Sequence, residues 1–177
     1  MTPSARLSAA IEVLDRLAAG RASADETLAA WGRANRYAGS GDRRAVAERV
    51  YGILRERGRL ARAMGADDSR ALVLASLALQ DSLEVDEIGG LFGGDRYAAA
   101  ALTAAEEARL SRLDPGEGLG LPGFVERELE RSFGPSWPAE AEALMQSRAP
   151  LDLRVNAAMA PRDQVASTLQ AADIASA

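Results

Sequence analysis

The chain has 177 residues, with 21 arginines, 26 acidic residues and a formal net charge of −5, but no cysteine, histidine or lysine. Disulfides, thiolate nucleophiles, zinc sites built from Cys and His, a histidine general base, a Schiff-base lysine and a P-loop lysine are excluded, which leaves carboxylate, hydroxyl and arginine chemistry. With 47% hydrophobic and 27% charged residues the balance is globular, and the length suits one domain or one domain and part of another.

Leu7, Ile11, Leu14 and Leu17 recur at helical spacing and Gly20 follows as a stop signal, which predicts a first helix. The same stretch carries Arg6, Glu12, Asp15 and Arg16, so it has no unbroken apolar core of a targeting segment. Ser23 with Glu26 reads as a capping box that opens a second helix, with Leu28 and Trp31 on one face. Gly39-Ser40-Gly41-Asp42 predicts a turn and cap, and the next helix carries Val46, Val50, Ile53 and Leu54, with Gly58 near its end. Asp67-Asp68-Ser69 caps a helix whose run 71–79 is almost wholly apolar, the pattern of the buried central helix of a bundle. Residues 83–92 form a shorter segment ending in Gly89-Gly90 and Gly93-Gly94, and Thr103 with Glu106 is a second capping box. Pro122 is expected at a first helical position, ahead of Phe124, Val125, Leu129 and Phe133, with Gly134 closing the helix. Ser136 and Pro138 begin another helix, which Pro150 stops.

The period then changes. Leu151, Leu153 and Val155 alternate with Asp152, Arg154 and Asn156, which predicts a strand with one buried face, and Pro161 opens a last helix through Val165, Leu169 and Ile174. A lone strand can neither complete its ladder nor bury its face. Residues 151–177 therefore read as the beginning of a sheet-containing domain, the alternative being an edge hairpin or surface extension. No stretch approaches the roughly 18 apolar residues of a membrane span, so a cytoplasmic protein without a membrane partner is expected.

Charge is uneven. Residues 33–62 hold nine arginines and three acids, a local excess of +6 inside an acidic chain. If one helix runs through Gly58, Val50, Ile53 and Leu54 lie within about 80° of Val46, and Arg44, Arg55, Arg59 and Arg62 share the opposite face. Arg33 and Arg36 lie just upstream, beside Tyr37. The arginine fork fits phosphate and stacks on bases, which suits an RNA backbone surface; the alternative is a solvated face paired with Glu48 and Glu56. Arg57 projects to the apolar side. Arg154 falls on the polar side of the strand pattern, as an RNA contact or a solubilising charge.

The remaining candidates read as structural. The glycine-rich run 89–95 follows no strand and lacks dinucleotide-fingerprint spacing, so it is expected to be a loop. Asp67-Asp68 and Glu106-Glu107 sit at helix starts, where acids complement the helix dipole, so they are expected to cap rather than bind metal or move protons. Trp31, Tyr37 and Tyr51 are expected as core or rim aromatics rather than as base-stacking platforms. No catalytic, metal or cofactor residue is assigned.

One ordered series of residues resembles a known family. Asp42-Arg43-Arg44, followed by Val50-Tyr51-Gly52-Ile53-Leu54-Arg55, resembles the "D-R…V-Y-G-x-L-R" segment of NusB-like RNA-binding domains. Leu121-Pro122-Gly123-Phe124 with Leu129 and Phe133-Gly134 resembles an "L-P-x-W/F…L…F-G" stretch, and Ala149-Pro150-Leu151-Asp152-Leu153-Arg154-Val155-Asn156 resembles "A-P-L-x-L-R-V-N". Together they resemble the N-terminal region of the RsmB/Sun/NOP family of ribosomal RNA cytosine methyltransferases.

The resemblance implies a mainly all-α fold: a NusB-like helical bundle over residues 1–145, then the first strand and helix of an incomplete small α/β RNA-binding subdomain over 146–177. It implies ribosomal RNA as partner, met through Arg33, Arg36, Arg43, Arg44, Arg55, Arg59, Arg62 and Arg154. It also implies a C-terminal methyltransferase domain, absent here, in which S-adenosylmethionine and catalytic cysteines would act; this chain has no cysteine. Two other readings stay open: a stand-alone NusB-type adaptor in antitermination or ribosome assembly, and a helical protein-binding module, which should expose an apolar patch.

Overall fold

The computed structural model describes residues 1–94, 96–114, 120–145, 153–172 and 174. Ten α-helices are present among them: α1 Pro3–Ala19, α2 Ala24–Ala34, α3 Ser40–Arg55, α4 Arg57–Met64, α5 Ser69–Leu79, α6 Val85–Gly90, α7 Ala104–Leu110, α8 Gly123–Phe133, α9 Trp137–Met145 and α10 Arg162–Ala171. The protein is mainly helical, and no strand occurs among the described residues. It divides into two compact units, Met1–Ser147 and Arg148–Ala177.

Local chemistry starts most of these helices. The Thr2 hydroxyl accepts from the Ala5 amide ahead of α1, and Asp68 accepts from the Ala71 amide ahead of α5. Ser23/Glu26 and Thr103/Glu106 form complete capping boxes, each side chain satisfying the other residue's orphan amide. Pro122 does not enter its helix. With ψ 136° it stands just outside α8, which Gly134 ends at φ +55°.

In the first unit α5 is the axis. Residues 71–77 are buried all round, and α5 packs against α1, α3, α4, α6 and α7. Val13 and Leu14 of α1, Trp31 of α2, Val46, Val50 and Ile53 of α3, Leu60 of α4 and Ile88 of α6 complete one continuous core. Helices α8 and α9 pack on each other through the short 3₁₀ turn Gly134–Ser136.

Helix α3 does not run through Gly58. It stops at Arg55, and Glu56 takes φ −113°, ψ 17° before α4 starts at Arg57. Tertiary contacts hold this break. The Glu56 carboxylate accepts from Gln80 Nε2 at 2.9 Å and from Arg59 Nη1 at 2.6 Å, and Gln80 Nε2 also donates to the Gly52 carbonyl at 3.1 Å. At Gly58 a Cβ would lie 1.8 Å from the carbonyl oxygen of Gly120, so two backbones meet where no side chain fits. Arg57 consequently leaves the apolar side expected for it and pairs with Asp67 through two hydrogen bonds of 2.8 and 2.9 Å.

The α5–α7 contact carries an acid-sensitive link. Arg70 Nε donates to Glu106 Oε1 at 2.6 Å, and the Thr103 amide donates to Glu106 Oε2 at 2.7 Å. The Arg70 guanidinium, aided by Thr103 and opposed by burial, lowers the Glu106 carboxyl from its ordinary 4.5 to about 2. A carboxyl whose folded pKa lies below its unfolded one stabilises fully above the unfolded value and stops doing so as pH falls through the folded value. Glu106→Gln should therefore lower the urea midpoint near pH 6, and the gap to wild type should close between about pH 4.5 and 2. A gap independent of pH would show that the carboxylate charge is not what stabilises this contact.

In the second unit, the expected strand has only residues 153–156 within the described part, and these carry neither helix nor ladder bonds. Leu153, expected on a buried face, is 63% exposed. The physical reason is the missing partner: without a neighbouring strand or a packed layer, alternation has no face to bury. Pro161 precedes α10, which ends at Ala171, so Ile174 lies beyond that helix.

Candidate nucleic-acid interface

The structure splits the eight arginines singled out in the sequence. Arg33 lies in the last turn of α2, Arg36 lies in the α2–α3 loop, and Arg43 and Arg44 occupy the first turns of α3. Arg55 is the last residue of α3, about 16 Å along the axis from Arg44 at 1.5 Å per residue. Arg59 and Arg62 belong to α4, so the continuous helix on which Arg44, Arg55, Arg59 and Arg62 were expected to share a face is interrupted at Glu56. Arg154 is exposed in the second unit.

Their partners differ as well. Arg44 bonds Glu48 at 2.9 Å on the exposed face of α3, and Arg59 bonds Glu56. Arg44 follows the solvated-pair alternative, and Arg59 is paired in a half-buried position, so neither presents an open cation. Arg43 Nε donates to the Ala38 carbonyl at 2.9 Å, and its guanidinium lies over Gly32 of α2, so it pins the α2–α3 loop. The Arg62 side chain is exposed, while its carbonyl accepts from Arg109. Arg33, Arg36 and Arg55 are exposed and have no acidic partner among the described residues. They are the cations most available to an anion.

The residues of the "V-Y-G-x-L-R" element serve mainly to build the bundle. Val50 and Ile53 are buried, and the Tyr51 hydroxyl donates to the Asp25 carboxylate, tying α3 to α2. That bond raises the Tyr51 pKa above its ordinary value. Gly52 sits against Gln80, where a Cβ would meet Oε1 at 3.3 Å. Arg55 alone projects fully outward. Asp42, from the preceding "D-R", accepts from the Met1 ammonium at 3.1 Å and from Arg6 Nε at 2.8 Å, which holds its carboxyl below the usual range.

No protein-family model, curated protein or solved structure matches this chain.

One feature escaped the sequence reading. Beside the α2–α3 loop, a cleft of about 640 Å³ opens over the first half of α1. Ala5, Ser8, Ala9 and Glu12 line it from α1, and Tyr37 and Tyr97 line it from two loops. Tyr37 is 73% exposed and lies outside the core, whereas Trp31 is buried in it. The only trace in the sequence is a repeated dipeptide, Arg36-Tyr37 and Arg96-Tyr97, sixty residues apart.

Among the described residues, no group of three or more His, Cys, Asp or Glu side chains is placed to hold a metal ion, and no helix is long and apolar enough to cross a membrane.

Proposed function

We propose that this chain is an RNA-binding helical module, the NusB-like N-terminal region of a ribosomal RNA cytosine methyltransferase of the RsmB/Sun/NOP type. In this reading it holds a segment of ribosomal RNA so that a catalytic domain outside these residues, carrying S-adenosylmethionine, reaches one cytosine. The observation that carries the reading is the set of exposed arginines without acidic partners, Arg33, Arg36 and Arg55, on a chain whose net charge is negative. Local fields rather than net charge decide anion binding. The ordered "D-R…V-Y-G-x-L-R" and "A-P-L-x-L-R-V-N" segments support the same reading. Phosphate contacts position the RNA, and base contacts specify it.

A second reading has its own support. Phe124 of α8 and Leu144 of α9 are each 65% exposed, and Phe133 is also exposed, as a protein-docking surface would require. Electrophoretic mobility of ribosomal RNA fragments separates the two. The RNA module should shift them at low salt with a dissociation constant of about 10⁻⁴–10⁻⁶ M or tighter, and an excess of polyglutamate should not abolish the shift. No shift at low salt would overturn the RNA reading and leave the protein-binding one.

A further inference from the structure

The cleft over α1 contains features that the bundle itself does not require. A tyrosine ring left 73% or 64% in water contributes little packing, yet two such rings, Tyr37 and Tyr97, face one cavity from separate loops. Both loops are fixed. Below Tyr37, Ala38 is buried, its amide donates to the Asn35 carbonyl, and its own carbonyl receives the Arg43 Nε–H. The Tyr97 carbonyl receives the Ser8 hydroxyl at 2.8 Å. The glycine-rich segment turns at Gly93, φ +74°, whose amide donates to Ala99; a Cβ there would lie 2.6 Å from that of Ala101. The Gly93–Ala99 bond ties together the two ends of the segment that carries Tyr97.

Ala5, Ser8 and Ala9 of α1 line the same cleft and are small enough for a flat ring to approach the helix. Glu12 also lines the cleft, and accepts from Trp31 Nε1 at 3.2 Å and from Arg16 at 2.5 Å. A carboxylate has about four lone-pair sites, so acceptor capacity remains for a ligand N–H. Each tyrosine follows an arginine. Arg36 is exposed without an acidic partner, and the Arg96 guanidinium lies 5.6 Å from the Tyr97 ring centroid.

We propose that this cleft is a base-stacking site, which seats one base of single-stranded RNA against the Tyr37 and Tyr97 rings while Arg36 meets the adjoining phosphate. The proposal rests on the RNA reading above and adds a base-binding site to it. Single-stranded RNA is recognised by stacking unpaired bases on aromatic and guanidinium planes, and both kinds of plane are present here. Loops already held in place reduce the ordering cost of binding. A proline-rich peptide also uses aromatic grooves, but it does not call for arginines flanking both rings.

The test compares the wild-type chain with the Tyr37→Leu/Tyr97→Leu and Tyr37→Phe/Tyr97→Phe variants. Fluorescence anisotropy of a labelled single-stranded oligoribonucleotide is measured across salt concentrations, with circular dichroism to confirm folding. The Leu pair should weaken binding about five- to a hundredfold without changing the salt slope, because stacking releases no counterions, and the Phe pair should bind within about twofold of wild type. A folded Leu pair with wild-type affinity overturns the cleft proposal and leaves the RNA reading standing. A wild-type chain that does not bind at low salt overturns both. A Leu pair that loses binding to a proline-rich peptide while keeping RNA affinity assigns the cleft to a peptide and overturns the proposal.

Discussion

Trp31→Ala should destabilise the first unit by about 3–5 kcal/mol, the usual cost of deleting a large core aromatic. Trp31 is 1% exposed and belongs to the continuous core that includes α1, α3 and α5. Two effects contribute, and their sizes differ. The indole N–H bond to Glu12 is lost, but Glu12 is nearly half exposed, so water replaces that donor at small cost. The cavity left among packed side chains cannot be rehydrated in this way, so it dominates. Domains of this size have about 5–15 kcal/mol of stability in all, so about a fifth or more would be lost. With a urea dependence of about 2 kcal/mol per molar, the midpoint should fall by about 2 M at unchanged slope, read by circular dichroism. Tyr37→Ala is the control: that ring is exposed, and the change should stay within about 0.5 kcal/mol. A Trp31→Ala midpoint equal to that of the control would show that Trp31 does not belong to the core.

The Arg33→Gln/Arg36→Gln/Arg55→Gln triple variant should show the largest change in RNA binding. Each phosphate contact on single-stranded RNA contributes about −0.7 to the slope of log affinity against log salt, so three lost contacts flatten it by about 2. Arg44→Gln/Arg59→Gln should change the slope by less than about 0.7 in total, because Glu48 and Glu56 already neutralise those guanidiniums. The contrast depends on the structure, since the sequence alone places Arg44, Arg55 and Arg59 together. The triple variant should keep wild-type circular dichroism, as exposed arginines carry little of the fold, and the Arg44/Arg59 pair should be compared only where circular dichroism shows it folded, because Arg59 is half-buried against Glu56. An unchanged slope in the folded triple variant would remove these arginines as the RNA surface and strengthen the case for the apolar surface of α8 and α9.

The features legible in the sequence are those written in neighbouring residues. The boxes at Ser23/Glu26 and Thr103/Glu106 close between residues three apart, and Asp68 reaches the Ala71 amide by the same step. The apolar run of α5 announces a helix buried on every side, because a segment of that kind is stable only when wrapped by others. Period two at 151–156 signals alternation, but burying one side of it takes a neighbour outside the segment, and Leu153 is exposed.

Contacts between residues far apart in the chain account for the rest. Gly58 marks a possible end in the sequence, but helical periodicity continues through Glu56, and the contacts that hold the break, Gln80 and the Gly58–Gly120 approach, come from elsewhere in the chain. An arginine's availability to phosphate depends on whether an acid reaches it. Glu48, four residues from Arg44, is visible in the sequence, but Asp67 for Arg57 and Asp81 for Arg49 arrive with the packing of α4 and α5. Tyr37 and Tyr97 become two sides of one cleft for the same reason. Hydrogen bonds from Arg43 to Ala38 and from Ser8 to Tyr97 set their loops beside α1, and such bonds form only once the helices have packed and brought donor and acceptor within reach.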